Sequence, residues 1–324
     1  MISGTCKFIL LFVVILGSYQ LAWGEQDLNE KYPTISVEKS INYRQNWNHL
    51  GSNDYNSLQE LFKILLRCDT GKKILTYAQK KASRSGKTLQ DIIEVGEHST
   101  TDTTLVRRFF PDHPEEVVYE ERSQVTINRD LTISDAVLDL AHELTHFTFR
   151  TPFNPYQKNF SIKDLITNTI EGSGGEADAY VMECTVWKEL FSNGDRAGNN
   201  CHKIVDERSG RFSKDKTIAL FYRLGPYLET FKDKIKNYKL SEKDFPFLGG
   251  QSTLFVSSLY NLPYPLAALE EYLIISKRAC TNDRKRLQLM SNNIGRLPAS
   301  LRPKKEQSYQ KMTRSYEERC HTAL

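Results

Sequence analysis

Two histidines four residues apart with a carboxylate beside the first, in the run Ala141-His142-Glu143-Leu144-Thr145-His146, are the residues of this chain best placed to do chemistry. On a helix, positions i and i+4 share a face, so His142 and His146 can close on one metal ion while Glu143 reaches a water bound to it. That is the core of a zinc hydrolase site, in which the metal acidifies water and the carboxylate moves the proton. The flanks favour a helix: Thr132, with Asp135 three residues on, reads as a capping box, and Thr151-Pro152 supplies a stop. Val137, Leu140, Ala141, Leu144 and Phe147 form an apolar stripe, and Asp135, Asp139, His142 and His146 fall on the other side. One face therefore packs and the other lines a cleft.

The pattern resembles the HExxH metallopeptidases, the zincins, over this helix and one later segment. Catalytic zinc takes three protein ligands and leaves a fourth position to water. The metzincin subset is excluded, because Phe149 and Pro152 stand where it places a Gly and a third His. The thermolysin-like subset, the gluzincins, takes a Glu from a second helix downstream, and the resemblance points to the segment Glu171 to Glu183. Glu176 is the candidate third ligand: Gly172, Gly174 and Gly175 permit close backbone approach, and Glu176 then opens a helix through Val181, Cys184, Trp187 and Leu190. Glu183 shares its face and Glu171 precedes the glycine turn, and both are alternatives. Gluzincins often carry a supporting carboxylate four residues after the ligand Glu; here that place holds Tyr180, a residue able to orient a ligand or stabilise an oxyanion. His202, on a later polar loop, is a second candidate for the oxyanion role. The resemblance thus implies Zn2+ as cofactor and a peptide or protein as substrate.

Residues 1–24 carry the marks of an export signal. Lys7 precedes the apolar run Phe8 to Gly17, and Ala22-Trp23-Gly24 puts small residues at the two positions a signal peptidase reads. The run is too short for a membrane span, so the expected mature chain starts near Glu25, has no transmembrane segment, and is secreted or periplasmic. Cysteine usage matches an oxidising compartment only in part, since Cys68, Cys184, Cys201, Cys280 and Cys320 are odd in number. Cys184 with Cys201 and Cys280 with Cys320 are closest in sequence, although spacing alone does not fix the pairing.

At 39% hydrophobic and 26% charged, the chain suits a globular protein with one large core or two smaller ones. Residues 25–50, polar and Asn-rich, read as an extended N-terminal arm, 51–245 as the catalytic domain, and 246–324 as a helical basic extension packed on it. Ser57 with Glu60 reads as a capping box, and Lys72 to Ala82 as a second helix. The segments Asp91 to Val95, Thr104 to Phe110 and Glu116 to Asn128, rich in β-branched and aromatic residues, read as a small antiparallel sheet. In zincins an edge strand aligns an extended peptide, a part for which Val117 to Tyr119 or Val125 to Asn128 is the candidate here. Farther on, Thr217 to Tyr238 reads as one helix and Leu266 to Ile275 as another.

Between Lys277 and Arg314 basic residues face only Asp283 and Glu306, in a chain whose net charge is +4. That local asymmetry can meet an anionic surface or polymer. Tyr309 is the lone aromatic of the segment, so specific nucleic-acid recognition is not expected. The expectation is a mostly helical α+β, zincin-like protein with a small antiparallel sheet preceding the metal helix. It hydrolyses peptide bonds, with zinc on His142, His146 and Glu176 and with Glu143 as general base. Two other readings share these residues: a non-catalytic exported protein of zincin-like fold that binds through its basic surface, and a zinc amidase acting on cell-wall peptides.

Overall fold

The helix that carries the two histidines, α3 (Ile133–Phe149), lies at the centre of the molecule, with most of its residues buried. The computed structural model describes residues 41–191 and 200–320; the expected export signal and most of the expected arm lie outside the described residues. The fold is mixed α+β, with 56% helix and one three-stranded sheet, so helices supply most of the core. Around α3 pack α1 (Asp54–Leu65), α2 (Asp69–Arg84), α5 (Glu176–Phe191) and the sheet. Thr132 caps α3 as its sequence predicts, its hydroxyl accepting from the Asp135 amide at 3.2 Å and donating to the Asp135 carboxylate at 2.7 Å.

The sheet comprises β1 (Ile93–Gly96), β2 (Thr100–Phe109) and β3 (Val117–Asn128) in the order β1-β3-β2. It is not purely antiparallel. β2 runs antiparallel to β3, from Thr100 opposite Thr126 to Phe109 opposite Val117, whereas β1 is parallel to β3, with Ile93 opposite Val125. Val125 and Ile127 are fully buried, and this most apolar end of β3 takes the position with a partner on each side. Val125 and Thr126 are paired on both sides, so this stretch is not the open edge expected of it. Among the described residues the open edge beside α3 belongs to β2, whose Thr101 hydroxyl oxygen lies 2.9 Å from the Glu143 carbonyl oxygen.

Other departures have local causes. Residues at the end of the expected arm are tucked in: Trp47 is fully buried, its indole donates to the Asn128 carbonyl at 2.8 Å, and the Ile133 amide donates to the Gln45 carbonyl at 2.8 Å. α1 is capped by Asn53 rather than Ser57, whose buried hydroxyl instead accepts from the Gly51 amide and donates to the Asn48 carbonyl. The single helix expected over Thr217 to Tyr238 is broken into α6 (Lys214–Phe221) and α7 (Leu228–Lys236) by Gly225, at φ 52°, and the proline after it. Between α3 and α5 lies α4 (Ile162–Ile170), which packs on α8 (Tyr264–Arg296).

The C-terminal part is a helical hairpin of α8 (Tyr264–Arg296), far longer than Leu266 to Ile275, and α9 (Arg302–Cys320). A Cys280–Cys320 disulfide ties its helices together, a Cys184–Cys201 disulfide holds α5, and Cys68 is a buried free thiol whose pKa burial pushes up to about 11. The hairpin docks on β2 through Asp283, fully buried between the guanidinium groups of Arg107 and Arg319, while Arg107 also lies 3.5 Å over the Tyr156 ring. Among the described residues no helix is long and apolar enough to cross a membrane.

Candidate metal centre

His142 and His146 project from one face of α3, their rings edge to face at 4.8 Å. The chain then passes through α4 and returns at a glycine-rich turn. Gly174 sits at φ 65°, and a Cβ there would stand 2.5 Å from the Arg150 amide nitrogen, so only glycine lets this turn lie against the end of α3. The close approach aims the Gly174 carbonyl at His146 Nδ1, 2.7 Å away, and starts α5 with Glu176 facing both rings.

The Glu176 carboxylate stands 3.3 Å from His142 Nε2 and 3.4 Å from His146 Nε2, and the ligating atoms of the three residues lie within 4.8 Å of one another. Ligands about 2.1 Å from a shared tetrahedral centre stand roughly 3.4 Å apart, so these residues suit a zinc ion. The outward nitrogens agree. A carbonyl can only accept, so His146 Nδ1 carries a hydrogen and in the neutral ring leaves Nε2 as a lone pair. His142 Nδ1 is paired in the same way, at 3.1 Å, with the Glu183 carboxylate. Such carboxylate and carbonyl partners fix the ring and its tautomer for a metal. Two nitrogens and one carboxylate make a donor set typical of a hydrolytic zinc site.

Electrostatics bind the group together. Burial alone would lower the His142 pKa, but hydrogen bonds to Glu176 and Glu183 and the charge of Glu143 hold it well above the usual imidazole value. Burial alone would raise that of Glu176, but His146, His142 and Arg150 keep this carboxyl well below the usual range. Arg150, four residues after His146, donates from Nη2 to Glu176 Oε1 at 3.0 Å. Glu143 is buried beside the rings, and Thr101 donates to its Oε2 at 2.7 Å. Tyr264, at the start of α8, faces Glu176, and its phenol is pushed well above its ordinary pKa by burial and by the charges of Glu176 and Glu143. These groups line a cavity of about 140 Å³ together with Ser257–Tyr260 and Glu271.

Of the residues named from the sequence, His142, Glu143, His146 and Glu176 come together. Glu183 stands behind His142 instead of among the ligating atoms, and Glu171 accepts from the Tyr222 hydroxyl at 2.5 Å. Tyr180 is buried in the neighbouring apolar core, its ring 4.7 Å from that of Phe255, and does not line the cavity. His202 is exposed and also absent from the lining. Neither oxyanion candidate lines the cavity, whose wall instead includes Tyr264 and Arg150. Arg150 was within reach of sequence reasoning, since i and i+4 on a helix are neighbours. Tyr264 was not, being brought in from α8 by tertiary packing. Compared with models of protein families, with curated proteins and with solved structures, the chain matches none.

Proposed function

We propose that this protein is a zinc-dependent hydrolase of peptide or amide bonds, of the HExxH, gluzincin-like kind. One observation carries the reading: the Nε2 atoms of His142 and His146 and the Glu176 carboxylate converge while both Nδ1 atoms are tied back, with Glu143 alongside. When bound, zinc would polarise the scissile carbonyl and acidify water. Glu143 takes the proton of the attacking water and returns it to the leaving amine. Thr101 holds its Oε2, which orients the carboxylate for that transfer. Tyr264, kept protonated by its surroundings, donates to the oxygen on which charge develops. The free edge of β2 from Thr100 offers main-chain groups to align an extended substrate. A secreted or periplasmic site of action goes with the N-terminal export signal and with the two disulfides.

A second role is favoured by the exposure of Lys277, Arg278, Lys285, Arg296, Lys304 and Arg314 on the α8–α9 hairpin: holding the protein at an anionic surface or polymer. The test of the catalytic reading is Glu143→Gln, assayed against a mixed peptide library with zinc measured in the same sample. The variant is expected to keep its zinc and lose about 10²-fold or more of the wild-type rate. Zinc-replete Glu143→Gln with full activity would remove Glu143 as the base, and with it this mechanism.

A further inference from the structure

Every carboxylate beside the candidate metal centre has a partner except one. Glu176 meets both imidazoles and Arg150, Glu143 meets Thr101, and Glu183 meets His142. Glu271, on the second turn of α8, lines the same cavity, yet among the described residues its side chain makes no hydrogen bond and no ion pair. Half-buried in that wall, a carboxylate that no protein group pairs is open to a ligand entering the cleft. Its charged surroundings are Arg150, whose Nη2 is committed to Glu176, and the acids Glu176 and Asp102. Burial and those two acids raise its pKa, a strain that a cation would relieve. The Tyr260 phenol shares the cavity wall and feels the Glu271 charge, which adds an aromatic surface suited to a cation.

We propose that Glu271 is a specificity residue that pairs with a positively charged group of the substrate, an amine or guanidinium, a short distance from the scissile carbonyl. The proposal rests on the zinc hydrolase reading, and its test separates the two. Zinc-loaded wild type and Glu271→Gln are titrated by calorimetry with alkyl hydroxamates of increasing length, each paired with the same molecule bearing a terminal amine. The hydroxamate group reports the metal, and the amine reports Glu271. At one chain length the amine should tighten binding to wild type by about tenfold, and Glu271→Gln should abolish that gain while binding the plain hydroxamate as before. An amine without effect on wild type at any length, or an amine gain that survives Glu271→Gln, would overturn the assignment and leave the metal reading intact. A wild type that holds no zinc and binds neither series would overturn both.

Discussion

On the zinc reading, Glu183, seven residues past Glu176 and 3.1 Å from His142 Nδ1, would give the support that the gluzincin pattern places four residues past the ligand. The two spacings put a side chain on nearly the same face of α5, one turn apart, so a longer step still reaches His142 Nδ1. Removing it leaves the ligands present and unties one ring: Glu183→Gln should weaken zinc binding by about 10- to 100-fold, measured by competition with a chelator, and unchanged affinity would make Glu183 a bystander. Asp139, one turn before His142, has its pKa pushed up to about 7 by burial, with Glu183 and Glu143 adding to the rise. Because the folded value exceeds the unfolded one, the stability it contributes is complete at acid pH and is lost as pH rises through about 7. In metal-stripped protein the urea midpoint of wild type should therefore fall between about pH 4 and about pH 7, and Asp139→Asn should flatten that fall; equal slopes would show that Asp139 does not titrate in this range. At this scale the sequence was informative where chemistry is local. The i, i+4 pair and the glycine turn before Glu176 were legible, whereas Tyr264, Thr101 and Glu271 arrive from distant elements and leave no local signature.

At the scale of elements, periodicity and capping located α3 because Thr132, Asp135 and the apolar stripe all agree. The same reasoning misplaced breaks that depend on single residues or on tertiary bonds. Gly225 and the proline after it divide a continuous apolar pattern, and the Leu224 amide turns away to the Gly249 carbonyl at 2.9 Å. The sheet order was illegible, since β3 inserts between β1 and β2 only when the whole chain is folded. Docking of the α8–α9 hairpin also depends on long-range groups, Arg107 from β2 and Asp283 and Arg319 from the two helices. Asp283→Ala would leave two guanidinium groups facing each other in a buried site and should cost about 3–5 kcal/mol in equilibrium unfolding. A loss below about 1 kcal/mol would mean that the disulfide and apolar contacts hold the hairpin without it. Since α8 also carries Tyr264 and Glu271, this docking links the basic extension to the cleft.

For the whole molecule, the charge asymmetry read from the sequence survives folding in part. Arg286 and Lys305 turn inward to the Pro114–Glu115 segment, while most of the basic residues of the hairpin stay exposed. Retention on an anionic polymer such as heparin should fall steeply with salt, and charge reversal at Lys277, Lys285 and Lys304 should weaken it further without altering zinc content; retention indifferent to salt would argue against a surface role. The metal is what joins His142, His146, Glu176 and Glu143 into one site. The most direct measurement is elemental analysis of the purified, zinc-supplied protein beside His142→Ala, His146→Ala and Glu176→Ala. Zinc is expected near one ion per chain in wild type and to be lost on dialysis in all three variants. Wild-type protein that takes up no zinc would contradict it, and would leave His142, His146 and Glu176 as a buried ion-pair cluster of structural purpose.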